Sequence, residues 1–115
     1  LNGADFSEAV FHTANFSGAS LEGADLSGLA APNAIFRKAA CRQARFTAAQ
    51  LAYTDFSHAV VEGADFSRAD LKGANLHGLD PSRARWEGAD LTHVRKTDPE
   101  LLAAEQWKSP LPGPQ

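Results

Sequence analysis

The sequence predicts a repeat solenoid that turns a corner every five residues, and three observations carry that prediction. All seven phenylalanines (Phe6, Phe11, Phe16, Phe36, Phe46, Phe56 and Phe66) share one phase of a five-residue period, joined there by Leu1, Leu21, Leu26, Cys41, Leu51, Val61, Leu71, Leu76, Trp86 and Leu91. Two residues earlier in each unit, the slots from Ala4 to Val94 hold alanine in 15 of 19 cases. Eight of the nine glycines fall two residues after the large apolar slot, where a type II turn asks for positive φ. A period of five matches neither the 3.6 of a helix nor the 2.0 of a strand. Two apolar slots per unit can face one interior only if the chain bends within every unit.

The unit reads Ala-(Asp/Asn)-(Leu/Phe)-x-x, as in Ala4-Asp5-Phe6-Ser7-Glu8 and Ala74-Asn75-Leu76-His77-Gly78. In this the chain resembles the pentapeptide-repeat family over residues 1–96. The resemblance implies an all-β fold, a right-handed quadrilateral β-helix in which four units make one coil of about twenty residues, with nearly five coils stacked at strand spacing of about 4.8 Å. Twenty-residue coils sort the interior into columns. One holds Phe16, Phe36, Phe56 and Leu76; another holds Phe6, Leu26, Phe46, Phe66 and Trp86. The large members of these columns are the expected structural core, each contributing about 1.5–3 kcal/mol on burial. Cys41 takes an inward slot between Leu21 and Val61 and reads as a small core hydrophobe.

Two units depart from the pattern in the same way: Leu29 and Leu79 replace the alanine, while Ala31 and Pro81 replace the large residue. Volume is roughly kept, so each is a compensated swap. Pro32 and Pro81 also remove backbone donors, which predicts a bulge or a missing ladder bond at both places.

Lys96 puts a charge in an inward slot, so the repeat should end near Val94. Asp98 then offers an N-cap, Pro99 the first helical position and Glu100 an acid at the positive end of the dipole. These predict a capping helix within residues 97–108 that lays Leu101 and Trp107 across the open last coil, or uses them as a dimer seam. Residues 109–115 are proline-rich and read as an extended or disordered tail.

The chain has 115 residues, 43% apolar and 22% charged, which is about one small domain. No apolar run approaches a membrane span and no secretory signal is visible. One cysteine excludes an internal disulfide framework, and a net charge of −3 is too mild to imply direct nucleic-acid binding. The chain lacks methionine and begins at Leu1 with the repeat already running, which suggests a piece of a longer bacterial protein.

The sequence carries no catalytic, cofactor or metal constellation: His12, His58, His77 and His93 lack metal-ligand spacing, and no phosphate loop or nucleophile elbow occurs. Charge is more informative. Arg37, Lys38, Arg42 and Arg45 form a basic run with no acid among residues 36–54, yet coil arithmetic sets Arg42 between Glu22 and Glu62 and Arg45 between Asp25 and Asp65, with Arg85 next. Arg37 and Lys38 alone lack an acidic neighbour one coil away, leaving a small patch with His58. Asp70 and Asp90 make the reverse pair, two carboxylates adjacent in one column. These five are the candidate protein-binding residues.

The expected role is a non-catalytic protein-binding or scaffolding module, cytoplasmic or part of a secreted effector, with end-to-end dimerisation as a further option. The alternative implied by the resemblance is mimicry of duplex DNA by a gyrase-binding rod. The mild charge and the central arginines depart from that pattern.

Overall fold

In the computed structural model, which describes residues 1–106, the backbone is joined by parallel bridges at a constant offset of twenty residues: Asp5 to Asp25, Val10 to Ala30, Asn15 to Ile35, Ser20 to Ala40, and so on to Asn75 with Arg95. Four bridged positions per coil, each a single residue long, make a β-helix without extended strands. The ladder is regular. Large-slot amides of the first four coils, Val61 excepted, donate upward, as Phe6 N–H to Asp25 O at 2.7 Å, and the bridged amides above them donate downward, as Asp25 N–H to Ala4 O at 2.9 Å.

Between bridges the chain turns. The alanine amide closes the corner on the large-slot carbonyl three residues back, as Ala39 N–H to Phe36 O at 3.0 Å. The third residue of the corner has positive φ at eight glycines, and at nine other residues, among them Lys38 (59°) and His58 (60°). Left-handed backbone is therefore a demand of the corner rather than a privilege of glycine. Thr13 is absent from that set, and the Phe11–Ala14 corner has no closing bond. A β-branched side chain is poorly tolerated at positive φ, so the corner opens instead. The Asx slot reinforces the corners: Asp5, Asn15, Asp25, Asp55, Asp65 and Asn75 each accept from the amide two residues on, at 2.9–3.0 Å.

The interior is the expected pair of columns. Phe36 stacks on Phe56 with centroids 4.6 Å apart, Phe46 on Phe66 at 4.8 Å and Phe66 on Trp86 at 4.5 Å. The two stacks meet edge to face, Phe36 with Phe46 at 5.7 Å and Phe46 with Phe56 at 5.6 Å. Such pairs add about 0.5–1.5 kcal/mol beyond area burial. Phe36, Phe46, Phe56 and Phe66 are fully buried, whereas Phe6 and Phe16 in the first coil and Trp86 in the last are only partly so. Cys41 is buried, and loss of water pushes its thiol up to about 12, consistent with an inert core residue.

The irregular units behave differently from one another. At Leu29–Pro32 nothing is lost: Leu29 and Ala31 are buried, the Ala30–Gln50 bridge is intact, and Pro32 sits at the second turn position, which suits its fixed φ. The expected defect is absent because the amide that proline lacks is not a ladder donor there. At Leu79–Pro81 the Val60–Asp80 bridge is missing and the Gly63 amide bonds Arg83 rather than Ser82. Here proline occupies the large slot itself and restricts the residue before it, Asp80.

The last bridge is at Arg95, and helix α1 (Pro99–Gln106) follows. Asp98 caps it, Oδ1 accepting from Glu100 N–H at 3.0 Å and Leu101 N–H at 3.2 Å. Its position corrects the capping expectation. Leu101 is 48% exposed, no residue of α1 is buried, and the helix lies against a side of the coils. The open last coil keeps an apolar hollow of about 530 Å³ bounded by Leu76, Leu79, Pro81, Trp86, Leu91 and Val94, with no α1 residue in its lining. Trp107, the other expected capping residue, and the expected tail at residues 109–115 lie outside the described residues. No helix of the described residues is long and apolar enough to cross a membrane.

Candidate ligand-binding cleft beside the terminal helix

One corner of the coil stacks Ser17, Arg37, Ser57, His77 and Thr97 at twenty-residue offsets, and the next position stacks Lys38, His58, Gly78 and Asp98. Chemistry accumulates here because corner side chains point out, away from the apolar interior. Between this corner and α1 runs a cleft of about 340 Å³, with Arg37, Ser57, His58, His77, Arg95, Lys96 and Glu105 in its walls. On the far side of the helix Arg37, Lys38, His58 and Glu105 line a second hollow of about 400 Å³.

Glu105 is the centre of the arrangement. One carboxylate oxygen lies 2.7 Å from Nε2 of His77, the other 3.2 Å from Nε2 of His58. These contacts, the His77 bond foremost, hold the Glu105 carboxyl below the ordinary 4.5. The Asp98 amide donates to Nδ1 of His77 at 3.0 Å. That fixes the tautomer: Nδ1 keeps its lone pair, so Nε2 carries the proton that it donates to Glu105. The two imidazoles meet edge to face with centroids 5.2 Å apart. Gly78 makes room for this, since a Cβ there would come within 2.5 Å of Nδ1 of His58 at a backbone φ of +73°. The Gly78 amide donates to Oγ1 of Thr97 at 3.0 Å, tying the linker to the coil.

His58, His77 and Glu105 bring three donor atoms within 4.8 Å of one another, the one such group among the described residues. The geometry argues against a cation. A metal at Nε2 of His77 needs a proton on Nδ1, which would then face the Asp98 N–H, and Arg37, Arg95 and Lys96 line the same cleft.

Ser57 is anomalous. Its counterparts Ser7 and Ser27 spend their hydroxyls on Asp5 and Asp25 at 2.6 Å, but Ser57 Oγ has no partner among the described residues, though Ser57 is only 3% exposed. An unsatisfied buried hydroxyl costs about 1–3 kcal/mol.

The sequence expectations divide cleanly. Arg37, Lys38 and His58 do gather on one face, and among the described residues neither cation has a carboxylate within 4 Å. Asp70 and Asp90 are bridged to each other on a different side, each accepting from the amide two residues on. His77, Arg95, Lys96 and Glu105 were not foreseen as part of the face. The available signal was the nineteen-residue separation of His58 and His77, one less than a coil, which makes them diagonal neighbours. The charge columns hold in outline: Arg42 pairs with Glu22 at 3.6 Å, but Glu62 pairs with Arg83 at 3.4 Å rather than with Arg42, and Arg45 bridges Asp25 and Asp65 through backbone alone.

A family model for pentapeptide repeats matches in eight copies over residues 1–28, 33–63 and 49–80. Among solved structures, the pentapeptide repeat protein Rfr23 from the cyanobacterium Cyanothece 51142 is similar with a TM-score of 0.59 at 15% identity, over 82% of this chain and 88% of that one. That likeness shows the β-helix fold. A trypsin-treated variant of QnrB1, a plasmid-mediated fluoroquinolone resistance protein, aligns with a TM-score of 0.48 at 22% identity over 89% of this chain and 62% of its own. A pentapeptide repeat protein from the Arabidopsis thaliana thylakoid lumen aligns with a TM-score of 0.31 at 28% identity, over 82% and 62%. No curated protein matches the sequence.

Proposed function

The chain belongs to the pentapeptide-repeat family, and on that premise we propose that it is a non-catalytic protein-binding or scaffolding module, a right-handed quadrilateral β-helix of nearly five coils. Its binding surface is the face that carries Arg37, Lys38 and His58 beside α1. The observation that carries this reading is the unspent charge of that face: Arg37, Lys38, Arg95 and Lys96 have no carboxylate within 4 Å among the described residues. Elsewhere Arg42 and Arg83 are matched to acids, Arg45 and Arg85 flank Asp65 and Lys72 lies near Asp90, whereas Arg68, though also unpaired among the described residues, stands apart from the cleft. A wall of stacked coils holds these side chains at fixed spacing, which suits recognition of a surface rather than turnover of a substrate. The family match names repeats and points to no catalytic family, which supports this reading.

Asp70 and Asp90 are a secondary contact point on another side, and the working compartment is the cytoplasm. The duplex-mimic alternative needs a continuous acidic surface, and the exposed Arg42, Arg45, Arg83 and Arg85 interrupt it.

The test is affinity capture with the intact chain against a variant carrying Arg37→Glu and Lys38→Glu, read by mass spectrometry. A protein retained by the parent and lost with the variant supports the reading. A captured set identical for both would remove this face from it, and inhibition of gyrase supercoiling by the purified chain would turn the reading toward the mimic.

A further inference from the structure

The cleft under α1 already binds a carboxylate. Glu105 reaches it from the helix, accepting from Nε2–H of His77 at 2.7 Å with Nε2 of His58 at 3.2 Å. One carboxylate leaves most of the cleft's donors unused. Ser57 Oγ is buried and unpartnered, and Arg37, Arg95 and Lys96 have no carboxylate within 4 Å among the described residues. A site built only to fasten a helix would not need four further donors around Glu105, and the other carboxylate in the lining, Asp98, spends Oδ1 on capping α1.

The helix is also poorly attached. None of its residues is buried, Leu101 is 48% exposed and Leu102 is only partly covered, and the hydrogen bonds that join the helix and its linker to the coils are few: Glu105 with the two histidines, Asp98 N–H with His77, Thr97 with the Gly78 amide. Its eight residues are too few for a stable helix without packing. The coil side of the cleft is the opposite case. Arg37, Ser57 and His77 ride on consecutive coils joined by the bridges around them, Asn15 to Ile35, Ile35 to Asp55, Asp55 to Asn75. A loosely held acid therefore sits in a firmly built cationic seat.

We propose that the cleft is an oxyanion-binding site which Glu105 fills from within the chain, and which a carboxylate-bearing acidic segment of a partner protein takes over when α1 lifts. The inference rests on the protein-binding reading above and names the chemistry of the partner. In the exchanged state the incoming carboxylates accept from His77 Nε2–H and Ser57 Oγ–H and face Arg37, Arg95 and Lys96. A bidentate guanidinium contact is the strongest of the bonds on offer.

The experiment uses the full chain, with an N-acetylated hexaglutamate amide as probe, inorganic phosphate and zinc as controls, and the imidazole resonances of His58 and His77 as readout. The peptide should move both histidines. Glu105→Ala should tighten its binding by about five-fold or more, because the competing internal occupant is gone. Arg37→Glu added to Glu105→Ala should abolish it, with the coil's backbone amide spectrum unchanged away from the cleft. Three results would overturn the proposal: equal peptide affinity with and without Glu105, displacement of the His77 signal by phosphate but not by the peptide, or zinc uptake that depends on Glu105. Its failure is separable from that of the protein-binding reading. A partner lost on Arg37 and Lys38 reversal but indifferent to Glu105→Ala leaves that reading standing and removes this one.

Discussion

The middle coils and helix α1 are held by different physics. From Leu21 to Ala74 the interior is closed: aromatic rings stack on both sides of their neighbours and every coil is laddered above and below. Helix α1 has no fully buried residue, and hydrogen bonds from Glu105 and the Asp98 linker tie it to His77. The same short chain thus pairs a wall that cannot yield locally with an element that can leave without disturbing it. Stability and responsiveness are assigned to different residues, and each can be altered separately.

The largest effect should come from the wall. Phe46→Ala removes a ring that stacks on Phe66 and meets Phe36 and Phe56 edge to face, and should lower unfolding stability by about 3–5 kcal/mol in a denaturant titration. Phe6→Ala, at a ring only partly buried in the first coil, should cost about 1–2 kcal/mol in the same experiment. Equal losses at the two positions would mean that the ends are as well packed as the middle, and would blur the contrast.

Glu105→Ala should leave the coil's unfolding midpoint unchanged while the helical chemical shifts of residues 99–106 disappear. Acid should do the same reversibly. His77 holds the Glu105 carboxyl below 4.5, so its share of helix docking is complete above that value and is lost as pH falls through the depressed one. A pH titration by NMR should show α1 released in that window with the ladder amides unmoved; simultaneous loss of both would erase the distinction. The smallest effect reverses the usual sign. Ala48 has φ of 57°, and Ala48→Gly should stabilise by about 0.5 kcal/mol, relief of left-handed strain exceeding glycine's entropy cost.

Much of the wall was legible in the sequence because a constant period converts position into geometry. Phe36 over Phe56 and Phe46 over Phe66 follow from subtraction. Pro32 leaves the ladder whole because the second turn position supplies no backbone ladder donor, a fact that composition alone does not carry. The cleft was half legible. Arg37, Lys38 and His58 could be grouped by coil arithmetic, but Glu105 lies beyond the last bridge at Arg95, where the period no longer applies. Where α1 would go depended on the linker through Thr97 and Asp98 and their bonds to Gly78 and His77, which no spacing rule encodes. The resting place of a helix with no fully buried residue depends on individual hydrogen bonds.

The constant twenty-residue offset of the bridges has a consequence for how such a chain can change over evolutionary time. A residue's nearest company lies not beside it in sequence but one coil away, so a substitution creates its pressure at that distance. A charge reversal at Glu22 is answered most directly at Arg42, and a bulkier corner at Tyr53 is met at Gly73, where its ring now lies against the bare backbone. Mutational histories of chains built this way should therefore covary with a period of one coil, and a whole coil could be duplicated or deleted with every remaining neighbour kept.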